Sequence, residues 1–284
     1  SYAGFFKQWF RTAGHPVLTI KKEQTANNTF LHISQSQKIS KEGLFNLNIP
    51  ITAISMNGLE KTNIQLSKRD TVIQFSSDII DFWIDPLQTI PAEIKEFVSI
   101  VDAKKRLTDG TFYVKMLTLN NLSKQQLSDE IQEILMIVAK KDESVFVRQY
   151  AIALLAKFYT VNKLPWFSEM LRSNDDGRVR IYSLFALASD SSKKVDSLLA
   201  SYLPKEKSYF VQAEIIKIGL QRNGSKWIDV IRPFINKKSS YENIIQSAIA
   251  QGLFGLNDEL AFDVLYELAL PNVKQAYIYE ALDA

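Results

Sequence analysis

The most constraining feature of this sequence is a repeat. Residues that favour a helix start recur from residue 109 onward at separations of 33, 33, 33 and 32 positions. Each precedes an apolar helical pattern, and a second amphipathic segment follows it. Because no such unit can bury its own apolar face, the period predicts stacked helix pairs, that is, an α-solenoid. The predicted start residues are Asp109, Asp142, Asp175, Ser208 and Ser240, and the predicted second helices cover residues 124–140, 164–171, 193–203, 227–235 and 259–270, after a leading helix at 94–107.

The repeat also carries an internal consensus. A Val-Arg pair stands near the start of the first helix in two copies, as Val147-Arg148 and Val179-Arg180, and the last two copies lack it. This pattern resembles HEAT repeats. We therefore expect residues 89–284 to form an α-α superhelix of the HEAT or ARM type.

The pattern before residue 90 is different, because apolar residues there alternate with polar ones. Leu31 and Ile33, for example, are separated by His32, and such alternation places one face of a strand inward. Strands with one apolar face each pack face to face, so residues 15–88 are expected to form a small antiparallel β-sandwich. The fold class is therefore α+β with two domains. The predicted strands lie near residues 16–21, 30–34, 45–51, 63–67, 71–76 and 81–84.

Residues 1–14 fit neither part. Their aromatic residues have the i, i+1, i+4, i+5 spacing of one wide helix face, and Gly14 and then Pro16 end the helix. We expect a terminal helix of an upstream catalytic domain, with its aromatic face as the interface to that domain. The candidate interface residues are Phe5, Phe6, Trp9 and Phe10.

Composition excludes several kinds of chemistry. The chain has no Cys, so a thiolate site is excluded. Its two His, His15 and His32, are 17 positions apart, which excludes the HExxH zinc motif within this sequence, and the glycine patterns of dinucleotide sites and P-loops are absent from it too. The 34 basic and 31 acidic residues are evenly spread, which argues against a nucleic-acid partner. No apolar stretch is long enough for a membrane span, and we expect a soluble protein of the bacterial cytoplasm or periplasm.

Three segments together resemble zinc aminopeptidases of the aminopeptidase N type, a gluzincin family. Residues 5–20, FFKQWFRTAGHPVLTI, resemble the junction between the catalytic domain and the sandwich of that family. FNLNIPITAIS and FWIDPLQTIP resemble a strand of its sandwich and the exit from it. The order of a small sandwich followed by a helical domain also agrees.

The resemblance implies that the zinc ligands and the catalytic groups lie upstream of this junction. This chain is then expected to contain no catalytic residue, no metal ligand and no cofactor of its own, with zinc in the upstream domain. The sandwich would brace the catalytic domain, and the helical domain would cap its substrate cavity. The implied partners are the upstream domain of the same polypeptide and, in the intact protein, peptide substrates.

Two alternatives stay open at this stage. Arg148 and Arg180 are candidate contacts for peptide carboxylates, because a guanidinium pairs well with a carboxylate, but the favoured interpretation is that each binds a carbonyl or acid of a neighbouring repeat and ties the repeats together. The chain could also be a non-catalytic HEAT-type interaction scaffold, such as a degenerate relative of the peptidase family of the kind found among TATA-binding-protein-associated factors.

Overall fold

A computed structural model describes residues 2–11, 13–37, 44–158, 160–174, 176–237, 243–256 and 258–269. The chain divides into two compact units, Ser1–Val138 and Ala139–Ala284, and the first unit contains both of its β-sheets. The predicted α+β class is confirmed. The predicted domain limits at residues 14 and 88 stay a prediction. Within the described ranges, the helices are all too short or too polar to cross a membrane.

The strands form one sheet of four and one of three. The four-stranded sheet has the order β5-β2-β1-β7 and the three-stranded sheet the order β4-β3-β6. All neighbours are antiparallel except β1 and β7, which run parallel. The strands are β1 Val17–Gln24, β2 Asn28–Gln35, β3 Leu47–Ser55, β4 Gly58–Leu66, β5 Asp70–Ser76, β6 Ile79–Ile84 and β7 Glu93–Glu96.

The helices occupy the two ends of the described sequence. The first is continued by a π-helical turn at Lys7–Arg11, and the others follow the sheets. They are α1 Tyr2–Phe6, α2 Ile100–Asp109, α3 Phe112–Leu122, α4 Asp129–Lys141, α5 Val145–Ala156, α6 Leu164–Ser173, α7 Gly177–Ala188, α8 Lys193–Tyr202, α9 Tyr209–Asn223, α10 Ile228–Ile231, α11 Ile244–Leu253 and α12 Glu259–Ala269.

The two sheets share one apolar core. Leu31 and Ile33 of β2 are fully buried, as are Ile49 and Ile51 of β3 on the opposite sheet, and all four belong to the same cluster. The alternation read from the sequence therefore identifies the inward faces correctly. At about 25 cal/mol per Å² of buried apolar surface, such a shared core is the main favourable term in the folding of this unit.

The segment after the sandwich departs from the prediction. Residues 94–107 are not one helix: β7 pairs with β1, setting Glu93 beside Val17, and Ile94 is buried there. The next helix begins only after Ser99, whose hydroxyl accepts a hydrogen bond from the N–H of Asp102. The expectation of a wholly antiparallel sandwich fails at the same strand, because β7 pairs with β1 in the parallel direction.

Arg106 of α2 lies in a buried ionic cluster of the first unit. Its guanidinium donates two hydrogen bonds of 2.7 Å to the carboxylate of Asp81 on β6. It also donates to both oxygens of Glu96 on β7, at 2.7 and 2.8 Å. Burial by itself would lower the pKa of Arg106, but the two carboxylates raise it well above its usual value. The helix is thereby held to both sheets.

Every second helix of the second unit packs against its counterpart in the next pair. Helix α5 contacts α7, α7 contacts α9 and α9 contacts α11, while α6 packs on α7, α8 on α9 and α12 on α11. In this unit, contacts recur between helices that are one sequence period apart.

The helix starts agree with the predicted residues only in part. Asp109 is the last residue of α2, and Thr111 caps α3 instead. Asp142 accepts a hydrogen bond from the N–H of Ser144, the residue before α5, and Ser208 precedes α9. Asp175 and Ser240 lie outside the described residues. Asp176 caps α7 through the N–H of Arg178.

The predicted helix at 227–235 is broken into three short pieces. A 3-10 turn at Gly224–Trp227 leads into α10, and a second 3-10 turn follows at Arg232–Phe234. Pro233 lacks the N–H that a continuing α-helix needs, which explains the tightening after α10. The predicted last helix, 259–270, is α12, and Leu270 lies outside the described residues.

Candidate binding site

The second residue of each Val-Arg pair holds the loop that precedes its own helix. Arg148 of α5 donates from Nη1 to the backbone oxygen of Asp142 at 2.8 Å. Arg180 of α7 donates in the same way to the backbone oxygen of Asn174, also at 2.8 Å. Both acceptors lie six residues before the arginine. The repeat therefore reuses one polar contact, which satisfies a loop carbonyl that would otherwise face the helix stack.

Glutamine takes over this role in the next two copies. Gln212 of α9 donates to the backbone oxygen of Glu206, again six residues earlier. Gln246 of α11 donates to the backbone oxygens of Ile235 and Lys237. The loss of the Val-Arg pair in these copies is therefore a change of donor rather than a loss of the contact. The buried apolar residue before the donor is also kept, as Val147, Val179, Val211 and Ile245.

Arg180 also binds a buried carboxylate. Its Nε and Nη2 donate to the two oxygens of Glu206 at 2.8 and 2.7 Å. The Tyr202 hydroxyl lies 2.8 Å from the same carboxylate, and the backbone N–H groups of Lys207 and Ser208 donate to it. Glu206 is only 5% exposed. The loop before α9 is thus joined to α7 and to the end of α8.

The titration behaviour of this cluster follows from its contacts. Burial by itself would raise the pKa of Glu206, but hydrogen bonds from Arg180, Ser208 and Tyr202 outweigh it and lower that pKa below 4.5. Burial, and then the hydrogen bond to Glu206, raise the pKa of Tyr202. The pKa of Arg180 is raised by Glu206 against the effect of burial. All three groups therefore keep one protonation state at neutral pH.

A cavity of about 610 Å³ opens beside this cluster, wholly within the second unit. Four of its lining residues are cationic and one is acidic, and the acidic one is Glu206. Ser201, Tyr202 and Asn174 add neutral polar groups. The cationic residues are Arg172, Arg180, Lys205 and Lys207.

Only one of the predicted site residues of the helical region lies at this cavity. Arg180 lines it, but its fork of two N–H groups already points at Glu206; Arg148 is not among the lining residues. Sequence reasoning missed Glu206, because its partner is 26 positions away. One signal was available: Glu206 stands six residues before Gln212, the same loop position as Asn174 before Arg180.

The predicted aromatic interface lies in the first unit and is split between two environments. Trp9 is half-buried and packs on Phe45 of the sandwich core, with 5.6 Å between ring centroids. Gln8 fixes the same segment by two hydrogen bonds with the backbone of Asn46, at 3.1 and 2.8 Å. The helical segment is therefore anchored to the sandwich through one side.

The remaining three aromatic residues point away from the sandwich core and contact one another. Phe5, Phe6 and Phe10 have ring centroids 5.3–6.4 Å apart. They are 55%, 53% and 72% exposed. We call these three residues the aromatic patch. Their role as an interface to an upstream domain stays a prediction.

No group of three or more His, Asp or Glu side chains in the described part of the chain is placed to hold a metal ion, and the sequence has no Cys. This applies to the residues that the structure describes. Neither His15 nor His32 is therefore assigned a ligand role here.

Comparisons with known proteins find similarity in fold but not in sequence. No known protein family and no curated protein matches the sequence. The structure matches 110 solved chains. One of them is Legionella pneumophila aminopeptidase A, solved in complex with aspartic acid; it shares 10% sequence identity, with a TM-score of 0.58, over 99% of this chain. The aligned region is 40% of that protein, so this chain spans less than half of its length. The fold therefore belongs with a part of an aminopeptidase structure.

Proposed function

We propose that this chain is the non-catalytic C-terminal region of a zinc aminopeptidase that removes N-terminal residues from peptides. The observation that carries the proposal is the fold similarity to an aminopeptidase over 99% of the chain. The order of a small sandwich followed by helix pairs supports it. In this proposal the helix pairs are HEAT-like, and the second unit contributes to capping the substrate cavity.

The aromatic patch supports the bracing role. Three mutually packed phenylalanines on an anchored helix are costly to leave in water, at roughly 25 cal/mol per Å² of apolar surface. An upstream catalytic domain of the same polypeptide would cover them. Trp9 packs on the sandwich, so it would connect this interface to the rest of the first unit.

The zinc chemistry would take place in that upstream domain. A catalytic zinc ion lowers the pKa of its bound water and polarises the scissile carbonyl. The part of this chain that the structure describes contains no side-chain group suited to hold the ion. Its own contribution would be to exclude water and to limit the size of the peptides that enter.

The direct test compares the chain alone with its parent protein. Purified with one equivalent of zinc, residues 1–284 should not hydrolyse a panel of aminoacyl amides. The parent protein, assayed beside it, should hydrolyse them. Turnover by the isolated chain, abolished by a chelator, would show that the chemistry does not lie upstream.

A second candidate is an interaction scaffold, and one observation favours it. Exposed rings follow one another along the first helices of the pairs, including Phe146 on α5, Tyr182 and Phe185 on α7, and Phe210 on α9. The guanidinium of Arg178 lies 5.4 Å above the Phe146 ring. Such a row is typical of a repeat protein that binds a partner along its length.

Reading the parent gene upstream of residue 1 separates the two candidates. An HExxH motif followed about 18 residues later by Glu would support the enzyme, because these are the ligands and base of this zinc chemistry. A parent in which that motif is degraded would support the scaffold. Activity of the parent protein gives the same answer by an independent route.

A further inference from the structure

The cavity beside Glu206 has an unusual charge balance. Arg172, Lys205 and Lys207 line it and form no ion pair within the described part of the chain. Arg180 is neutralised by Glu206, the only acidic lining residue. Three positive charges therefore face one concave space of about 610 Å³, which is within the size range of small-molecule sites.

The walls of this cavity are held in place by the buried cluster. Glu206 lies between Lys205 and Lys207 in sequence and is bound by Arg180, Tyr202 and two backbone N–H groups. The Tyr202 hydroxyl also lies 2.9 Å from the backbone oxygen of Leu171, the neighbour of Arg172. The two lysines and the arginine are thus carried by backbone segments that one carboxylate and one phenol position. Like charges that line one cavity repel one another in the empty state, and an anion relieves that repulsion.

We propose that this cavity binds a small ligand whose two or three negative charges are carried by phosphate groups. A single carboxylate would neutralise only one of the three cations. The guanidinium fork of Arg180 is already occupied by Glu206, so Arg172 is the one lining arginine left to bind an anion, and it acts together with the two lysines. Two of the three remaining cations are lysines, which act as point charges and suit the compact charge of a phosphate group. Ser201 and Asn174 add neutral hydrogen-bonding groups at the same wall.

This inference is independent of the aminopeptidase proposal, because it concerns a site that contains no catalytic group. Binding at the cavity would join the loop before α7 to the loop before α9. A ligand there would therefore stabilise the second unit. The stabilisation gives the experiment a readout that needs no enzymatic activity.

The test is a calorimetric titration of the full chain with inorganic pyrophosphate at low ionic strength. We expect saturable binding of one pyrophosphate per chain and a higher unfolding temperature in its presence. The double substitution Lys205→Gln and Lys207→Gln should weaken binding by about tenfold or more, because it removes two of the three unpaired charges. Addition of Arg172→Gln should abolish it.

The matched control is the pair Lys193→Gln and Lys194→Gln. These lysines begin α8, are exposed and do not line the cavity. Their substitution removes the same total charge as the substitution of Lys205 and Lys207. The control should bind pyrophosphate as the native chain does. Equal losses of pyrophosphate affinity in both double variants would show that net charge alone explains the effect, and would overturn the proposal.

Citrate separates the phosphate class from anions in general. It carries about three charges on carboxylates, and we expect it to bind at least about tenfold more weakly than pyrophosphate. Binding of citrate as tight as that of pyrophosphate would overturn the assignment to phosphate. Absence of saturable pyrophosphate binding to the native chain would overturn the site itself. Circular dichroism of each variant establishes that it is folded.

Discussion

Two carboxylates and the backbone oxygen of Phe82 compensate the burial of Arg106. The cation sits among Asp81 and Glu96 with less than a tenth of each side chain exposed. In the sequence, Arg106 is the last of three consecutive basic residues. Local sequence does not show that this one is buried, because Asp81 is 25 positions earlier and meets Arg106 only after α2 packs on the sandwich.

Replacing Arg106 tests how far this cluster supports the first unit. Arg106→Met leaves two carboxylates buried without their cation, so we expect the free energy of unfolding to fall by about 3–5 kcal/mol. Urea denaturation followed by circular dichroism measures it. Lys105→Met is the control, since Lys105 forms only a partly exposed i,i+4 pair with Asp109, and it should cost less than about 0.5 kcal/mol. Similar small losses for both variants would contradict the structural role of the cluster.

Glu206 makes a prediction about pH. Its pKa is lower in the folded chain than the ordinary 4.5, so its contribution to stability is complete above that value and is lost as the pH falls through the folded pKa. Glu206→Gln should lower the free energy of unfolding by about 2–3 kcal/mol at pH 7, because it removes charge-assisted hydrogen bonds.

The pH series gives the sharper measurement. The gap in unfolding free energy between the native chain and Glu206→Gln should shrink between about pH 5 and pH 3, as the native carboxylate becomes protonated. Glu214→Gln is the control, since Glu214 forms a partly exposed pair with Lys217, and its gap should be small at every pH. A gap for Glu206→Gln that is constant over this range would contradict the assigned pKa direction.

The elements were predictable from sequence to the extent that local pattern determines them. Six strands follow from alternation, because each has one face in the shared core. β7 was missed, since its residues, Glu-Ile-Lys-Glu, have a single apolar position and its strand pairing with β1 joins residues more than seventy positions apart. The break around α10 has a different cause: Pro233 stands inside an apolar pattern, and the lack of its N–H interrupts the helix without changing that pattern.

The candidate site was predictable only through Arg180. The repeat identifies that residue as a candidate, because its period marks the same position in each helix pair. Arg172, Lys205 and Lys207 have no such marker, since they lie in loops or at helix ends where charged residues are common. Their joint position depends on how the ends of α6 and α8 meet, which is a tertiary effect.

Helix packing in the second unit makes a prediction at Gly219 of α9. A Cβ atom built there would lie 2.0 Å from the indole ring of Trp227, which is buried. Gly219→Ala should therefore displace Trp227 and lower the free energy of unfolding by about 1–3 kcal/mol, despite the better helix propensity of Ala. Thermal unfolding followed by tryptophan fluorescence detects both effects.

Gly177 provides the matched control for that substitution. It also lies in a helix, α7, but a Cβ there would meet its nearest neighbours, the Ser208 hydroxyl and a Val211 methyl group, at 3.3 Å each. Gly177→Ala should change stability by less than about 0.5 kcal/mol, since a small side-chain shift relieves the contact. Equal effects at the two positions would show that α9 does not approach Trp227 as closely as described.

At the scale of the whole molecule, the aromatic patch predicts how the isolated chain behaves in solution. Phe5, Phe6 and Phe10 form a continuous apolar surface on a segment that Trp9 and Gln8 anchor to the sandwich. When residues 1–284 are expressed alone, we expect two copies to associate through this surface, because mutual burial removes the exposed rings from water. Sedimentation velocity at increasing concentration measures the association.

Substitution within the patch locates that association. Phe6→Ser combined with Phe10→Ser should shift the isolated chain to monomer, because both side chains are exposed and make no contact with the sandwich core that their loss would disturb. Trp9 is left intact, since its ring packs on Phe45. The control is Val72→Ser combined with Leu87→Ser, which removes two apolar side chains of comparable exposure, 56% and 62%, elsewhere in the first unit. If self-association survives in the patch variant, or disappears in the control variant, then another surface causes the association. Either result would contradict the aromatic patch as the contact surface for an upstream domain.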